Sequence, residues 1–212
     1  MLRAEQLAVY FVMGTVNCQS EQSPLEVLED ALAAGVTLFQ LREKGSGALQ
    51  GKQLELFARQ CQALCQRYGV PFIINDNIEL ALKLNADGVH VGQDDEPLQH
   101  VRNKLPHAIV GVSVHNEEEM KLAVAGGADY VGIGPIFATS SKEDANPPAG
   151  VGFLSEIRQS YPNYPIVAIG GITSKDAAAI RLAGADGVAV ISELCRSSNR
   201  QQTVSLLRGD RL

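Results

Sequence analysis

Apolar residues in this chain gather in short, nearly continuous runs, and the long segments between them carry apolar residues only about once per helical turn. Val36–Leu41, Pro71–Ile74 and Gly88–Val91 are runs of the first kind. A strand reads this way when both of its faces are covered, as in a parallel sheet with helical crossovers. Ala8–Met13, Ile109–Val112 and Pro165–Ile169 have the same character, whereas Leu49–Tyr68, Glu117–Ala125 and Ser174–Leu182 follow the 3.6-residue period of amphipathic helices. The alternation predicts strand and helix in turn along the chain.

A repeat sharpens this picture. Four segments share one design, a helix end, a small-residue turn and a strand: Ala31–Phe39, Ala81–Val91, Ala123–Ile133 and Arg181–Ile191. Glycine suits the left-handed position after a helix, and the aspartate before the strand is a turn residue. Interleaved with the strand runs at Ala8, Pro71, Ile109 and Pro165, the repeats make eight strands. Eight β-α units in 212 residues leave about 26 each, which fits the short end of a (β/α)8 barrel. A doubly wound sheet of five or six strands leaves two runs unused. The expected fold is therefore a single (β/α)8 TIM-type barrel over residues 1–212. Its tightest unit is the third, where little helix fits between Asp76 and Ala86. The one long connection, Ala138–Val151, follows the sixth strand and is rich in Ser, Pro and Gly, a length and place that suit a functional lid.

Three polar clusters follow apolar runs directly: Gln40-Leu41-Arg42-Glu43-Lys44, Asn75-Asp76 and Gln93-Asp94-Asp95. In parallel α/β folds the carboxyl ends of the strands collect the chemistry. Alternation on an extended segment sends Gln40, Arg42 and Lys44 one way and Leu41 and Glu43 the other. Two cations beside an amide suit an anionic ligand, and a solvated charged loop is the plainer reading. Asp76 and Asp95 sit at neighbouring strand tips, about 4.8 Å apart at the backbone. Two such carboxylates need a positive group between them, and Mg²⁺ characteristically takes one or two carboxylates plus substrate phosphates. Each aspartate could instead cap the helix after it, and Asp94 competes with Asp95. Strands seven and eight end in Ile169-Gly170-Gly171-Ile172 and Val190-Ile191-Ser192, the place where barrels seat a phosphate on backbone N–H groups and a short helix. His90 reads as a packed barrel residue, His115 as a candidate general acid or base, and His100 and His107 as surface residues. No Ser-His-Asp arrangement, P-loop or G-x-G-x-x-G is present.

Charge and cysteine use narrow the function. A formal net charge of -6 argues against nonspecific binding to nucleic acid or anionic membranes, so a local Arg/Lys cluster carries more meaning. No apolar stretch approaches the roughly 20 residues that span a bilayer, and Leu7–Met13 reads as a first strand, not a signal peptide. Cys18, Cys61, Cys65 and Cys195 lack C-x-x-C spacing, and Cys61 and Cys65 read as core packing. A reducing cytoplasm is the expected compartment. An anion clamp, a metal pair and a second phosphate seat together describe two small phosphorylated substrates, one carrying a metal-bound pyrophosphate.

These residues closely resemble the thiamine-phosphate synthase family. Gln-x-Arg-x-Lys, Ile-Asn-Asp, Val-His-Val-Gly-Gln-x-Asp, Gly-Val-Ser-x-His, Gly-Pro-Ile-Phe-x-Thr-x-x-Lys, Ile-Gly-Gly-Ile and Val-Ile-Ser occur in the family's order across residues 40–192. The resemblance implies a transferase that joins a hydroxymethylpyrimidine pyrophosphate to a thiazole phosphate, releasing pyrophosphate by a Mg²⁺-assisted dissociative substitution. It implies that Gln40, Arg42, Lys44 and Asn75 hold the pyrimidine substrate and its pyrophosphate, with Asp76 and Asp95 on Mg²⁺ and Ser113 on the pyrimidine side. Thr139 and Ser141 would face the thiazole phosphate and Lys142 the pyrophosphate, with Gly171, Ile191 and Ser192 seating the thiazole phosphate. Arg42, Lys44 and Lys142 would stabilise the leaving group. Two departures are visible: Ala138 stands where proline is usual and Ser141 where threonine is usual. The alternatives are a thiazole tautomerase-like isomerase using His115, against which Arg42, Lys44, Asp76 and Asp95 speak, and a non-catalytic binder of thiamine precursors. A homo-oligomer is left open.

Overall fold

A computed structural model describes residues 2–18, 21–139, 141 and 147–210. The eight apolar runs form a closed parallel barrel in sequence order: β1 (Val9–Met13), β2 (Leu38–Leu41), β3 (Phe72–Asn75), β4 (Gly88–Val91), β5 (Ile109–Val114), β6 (Tyr130–Ile133), β7 (Ile166–Ile169) and β8 (Gly187–Val190), with β8 pairing back to β1. Around them lie α1 (Pro24–Ala33), α2 (Gly51–Tyr68), α3 (Ile78–Leu84), α4 (Leu98–Lys104), α5 (Glu117–Ala125), α6 (Gly150–Ser160), α7 (Ala177–Leu182), the short α8 (Ser192–Cys195) and α9 (Arg200–Arg208). The expected (β/α)8 barrel is the observed fold.

Local chemistry sets the helix limits. Ser23 and Glu26 form a reciprocal capping box before α1, with Pro24 at the first helical position, and Gly69 ends α2 in the left-handed conformation. The helix expected from Ser174 begins later, at Ala177. Asp176 Oδ2 accepts from Thr173 N–H at 2.9 Å and Glu193 accepts from Ser174 N–H at 2.8 Å, so these polar residues form a turn.

The repeated Ala-Asp segments prove to be more than turns. Asp87, Asp129 and Asp186 each accept, at 2.8 Å, an N–H from the first or second residue of the preceding strand: Phe72, Val110 and Ile166. Thr37 does the same for Val9 at 2.8 Å. Each even-numbered strand thus staples the start of the odd-numbered strand before it, giving four pairs. These bonds satisfy strand-end donors that would otherwise be left unpaired. Phe11, Phe39 and Phe72 occupy one register row, the first pair tilted and the second stacked, with centroids 5.8 and 6.1 Å apart. Tyr10, of opposite parity to Phe11, meets Tyr130 across the barrel interior. Cys61 and Cys65 are buried in the core as expected. Among the described residues no helix is long and apolar enough to cross a membrane.

Candidate active site

A cavity of about 380 Å³ opens at the carboxyl ends of the strands. Arg42 and Lys44 line it just beyond β2, with Arg42 N–H still bonded to Met13 O at 2.9 Å. Glu43 points away, as alternation requires. Its carboxylate accepts from Thr15 N–H (2.8 Å), the Thr15 hydroxyl and Leu49 N–H (2.9 Å), fixing the segment that presents the two cations. Arg42 is buried, against the solvated-loop reading of this cluster, whereas Lys44 is exposed and pairs with neighbouring carboxylates as that reading expects. Gln40 lies one layer deeper, its amide donating to the Tyr10 hydroxyl at 2.5 Å.

Asn75 ends β3 and Asp76 follows it on the cavity wall, and Asp94 and Asp95 follow β4 on the same wall. Capping does not explain either aspartate. Asn77 caps α3, accepting from Leu80 N–H at 2.9 Å, and α4 starts only after Pro97. Asp76 instead adopts a left-handed backbone, φ 57°, with its N–H on His90 O at 2.9 Å. Asp tolerates that region better than most residues, but the conformation costs energy and such outliers cluster at functional sites. Asp95 is held by Gly92 N–H at 2.7 Å.

The two carboxylates share one cation. Lys44 Nζ pairs with Asp76 Oδ2 and lies 3.9 Å from Asp95 Oδ1. Asp76 Oδ2 is buried, and its contact with Lys44 is an ion pair without hydrogen-bond geometry. Burial, reinforced by the Asp95 carboxyl, pushes Asp76 up to about 6 against the pull of Lys44. Burial also opposes charge on Asp95, but hydrogen bonds from Asp76 and Gly92 together with Lys44 outweigh it and shift Asp95 down. Their opposite shifts mark the two carboxylates as one interacting site that favours a positive charge between them. Among the described residues no group of three or more His, Cys, Asp or Glu side chains converges. A two-carboxylate set with an incompletely bonded buried oxygen is nonetheless what Mg²⁺ accepts when phosphates complete its shell.

A smaller recess adjoins the cavity, lined by Thr139, Ser141, Gly170, Gly171, Ile191 and Ser192. Gly170 and Gly171 have φ of 99° and 65°, so their main chain is exposed in a conformation that side chains disfavour. Ser141 Oγ and Ser192 Oγ are 3.3 Å apart, which ties the loop to the start of α8.

The family model for thiamine monophosphate synthase matches residues 9–194. The chain is 58% identical to the thiamine-phosphate synthase of Lysinibacillus sphaericus, covering 98% of this chain and 97% of that one. It is 53% identical to the enzyme of Geobacillus thermodenitrificans over 96% of this chain and 91% of the relative. The solved thiamine phosphate pyrophosphorylase of Pyrococcus furiosus superposes with a TM-score of 0.84 at 30% identity, covering 97% of this chain and 96% of that one. The chain belongs to the thiamine monophosphate synthase family.

As a thiamine-phosphate synthase family member it is a transferase, and the residues singled out from its sequence fall into three groups. Arg42, Lys44, Asn75, Asp76, Asp95, Ser113 and Thr139 share the main cavity, and Ser141, Gly171, Ile191 and Ser192 share the recess, with Thr139 lining both. Gln40 sits beneath. Lys142 lies outside the described residues. Sequence reasoning placed Gln93 in a strand-tip cluster without giving it a role, passed over Glu119, and took His90 for a packed barrel residue; all three line the cavity. Gln93 Nε2 donates to Ser113 O at 2.6 Å. Glu119 Oε2 accepts from His115 N–H at 2.7 Å and lies 2.9 Å from His115 Nδ1. For Glu119 the Asn116–Glu119 spacing was the available signal, since it is a capping pattern that puts Glu119 in the first turn of α5.

Proposed function

We propose that this family member condenses 4-amino-2-methyl-5-hydroxymethylpyrimidine pyrophosphate with 4-methyl-5-(2-hydroxyethyl)thiazole phosphate to give thiamine phosphate and pyrophosphate. The observation that carries this reading is the gathering of Arg42, Lys44, Asp76 and Asp95 at one rim of the cavity, with a glycine-lined recess beside it. Proton transfer on a thiazole alone, the tautomerase-like alternative through His115, has no use for that charge arrangement.

In this reading Asp76 and Asp95 hold Mg²⁺, which when bound neutralises charge on the pyrophosphate. Arg42 offers a planar fork to two phosphate oxygens and Lys44 a point charge, both aimed before the bond breaks. Lys142 would add a third positive charge to the same leaving group. Their preorganised field favours departure of pyrophosphate from the exocyclic methylene of the electron-rich aminopyrimidine. Asn75 and Ser113 hold the pyrimidine side, above Gln40. Gly171, Ile191 and Ser192, with Thr139 and Ser141, seat the thiazole phosphate so that the thiazole nitrogen faces the methylene. That nitrogen attacks with its own lone pair, so the step needs no general base.

The test is an assay of the purified protein with both substrates, with and without Mg²⁺, scored for thiamine phosphate and pyrophosphate together. Equal yields of both products, dependent on Mg²⁺, are expected. Isomerised thiazole phosphate without pyrophosphate release would favour the tautomerase, and binding without turnover a non-catalytic sensor.

A further inference from the structure

Beneath the cavity, five side chains from five strands form one hydrogen-bonded chain. Gln40 on β2 donates from Nε2 to the Tyr10 hydroxyl on β1 at 2.5 Å. The Tyr10 and Tyr130 hydroxyls are 2.8 Å apart, joining β1 to β6 across the interior. Tyr130 Oη lies 3.0 Å from His90 Nδ1 on β4, and His90 Nε2 lies 2.9 Å from Ser113 Oγ on β5. Ser113 borders the cavity. The chain has room because position 111 is glycine, where a Cβ would overlap the Tyr130 ring and His90 Nδ1. Both phenols are fully buried, and burial pushes their ionisation upward, so each keeps its hydrogen.

Each member of such a chain has a fixed number of hydrogens to give. Tyr10 Oη accepts from the Gln40 amide, so its own hydrogen goes to Tyr130. Tyr130 then gives its hydrogen to His90 Nδ1. With Nδ1 accepting, neutral His90 carries its proton on Nε2 and donates to Ser113 Oγ. The Ser113 hydrogen is left to point into the cavity. The opposite order would require the Gln40 amide to turn so that its oxygen, not its N–H, faces Tyr10.

We propose that Gln40, Tyr10, Tyr130 and His90 are positioning residues that make Ser113 a hydrogen-bond donor to an unprotonated nitrogen of the aminopyrimidine. This rests on the placement of the pyrimidine substrate beside Ser113 given above. A protonated ring nitrogen has no lone pair to receive that hydrogen. Protonation would also draw electrons from the exocyclic methylene and oppose pyrophosphate departure. A donating Ser113 thus selects the ring form that reacts.

The direct test is long-range ¹H–¹⁵N correlation on the whole chain labelled in histidine, without ligand, with His90 assigned by loss of its signals in His90→Gln. Protonated Nε2 and bare Nδ1 are expected, and an Nδ1–H tautomer with bare Nε2 overturns the proposal. Tyr130→Phe removes the donor to Nδ1, so mixed tautomers and a KM for the pyrimidine substrate raised by about tenfold are expected. An unchanged tautomer and KM in that variant overturn the proposal. His90→Gln keeps an N–H for Ser113 and should retain more activity than His90→Ala, whereas equal losses count against it. If Ser113→Ala leaves both kcat and the pyrimidine KM unchanged, the donor role fails at the substrate contact. Failure of the proposed reaction itself would show separately, as no product from the unsubstituted protein with both substrates and Mg²⁺.

Discussion

Lys44 Nζ rests against Asp76 Oδ2 and 3.9 Å from Asp95 Oδ1, so an ammonium occupies the space between two carboxylates that need a cation. Lys44 and a divalent ion would therefore compete for Asp76 before substrate arrives, and cooperate once pyrophosphate gives Lys44 another partner. Lys44→Met should move two observables in opposite directions. Mg²⁺ binding to the ligand-free protein, measured by calorimetry, should tighten. The gain should be only a few-fold, because Lys44 is 41% exposed and its charge is screened. Turnover should fall by about 10²-fold, as when one charge-stabilising donor is removed. Weaker Mg²⁺ binding in this variant would contradict the competition.

Asp76 gives the ligand-free protein a specific pH signature. Its folded value of about 6 stands above the ordinary 3.8, so between these values the folded chain holds a proton that the unfolded chain has released. Its contribution to stability should thus be greatest near the lower value, decline as pH rises through about 6, and change no further above it. Asp95 shifts the other way, so its own contribution is lost only as pH falls below 3.8. Asp76→Asn keeps the shape and tolerates the left-handed backbone, but removes the charge. Denaturant melts should show the decline between pH 4 and 6 abolished, with stability at pH 8 equal to or above the parent. Mg²⁺-dependent turnover should fall by about 10²-fold or more. A stability difference between parent and Asp76→Asn that rises over that pH interval would refute the assignment.

Gly171 tests the second seat. Its φ is 65°, and a Cβ there would lie 2.5 Å from Ala138 O and 2.8 Å from Phe137 Cβ. Gly171→Ala must therefore displace either the turn after β7 or the loop that reaches Thr139 and Ser141. Strain at such a position costs about 1–3 kcal/mol. KM for the thiazole phosphate should rise by at least about tenfold while the pyrimidine KM stays within about twofold, a split that steady-state kinetics with each substrate varied in turn would show. Equal changes in both constants would mean that the recess does not act as a separate seat.

How much of this was legible beforehand depends on how far apart the interacting residues lie in the chain. The strands could be read because each is a short apolar run, and the tips because polar residues have little reason to follow such a run directly. Asp76 and Asp95 were found for that reason. Their capping alternative fell only when Asn77 was seen to cap α3. The repeated aspartates were read as turn formers, since the strand N–H that each one binds lies 15 to 20 residues earlier. Tyr10 and Tyr130 are 120 residues apart, and nothing in a local pattern pairs them. His90 was taken as packing because in a barrel the upper interior layer is both core and cavity floor, and one sequence position serves both.

Glu43 carries a prediction of a different kind, because it faces away from the cavity. Its carboxylate bonds Thr15 N–H, the Thr15 hydroxyl and Leu49 N–H, so it ties the segment bearing Arg42 and Lys44 to the ends of β1 and the approach to α2. Hydrogen bonds to a charged acceptor contribute about 1.5–3 kcal/mol each when buried, less at a partly exposed site such as this. Glu43→Gln keeps the size but can offer only one oxygen, so at least one backbone N–H loses its partner. Stability should fall by about 1–2 kcal/mol. KM for the pyrimidine substrate should rise, because Arg42 and Lys44 lose their fixed direction, while KM for the thiazole phosphate should hold. Raising the Mg²⁺ concentration should not rescue the variant, since Asp76 and Asp95 are anchored by β3, β4 and Gly92 independently of Glu43. Recovery at high Mg²⁺ would instead place Glu43 in the electrostatics of the metal pair.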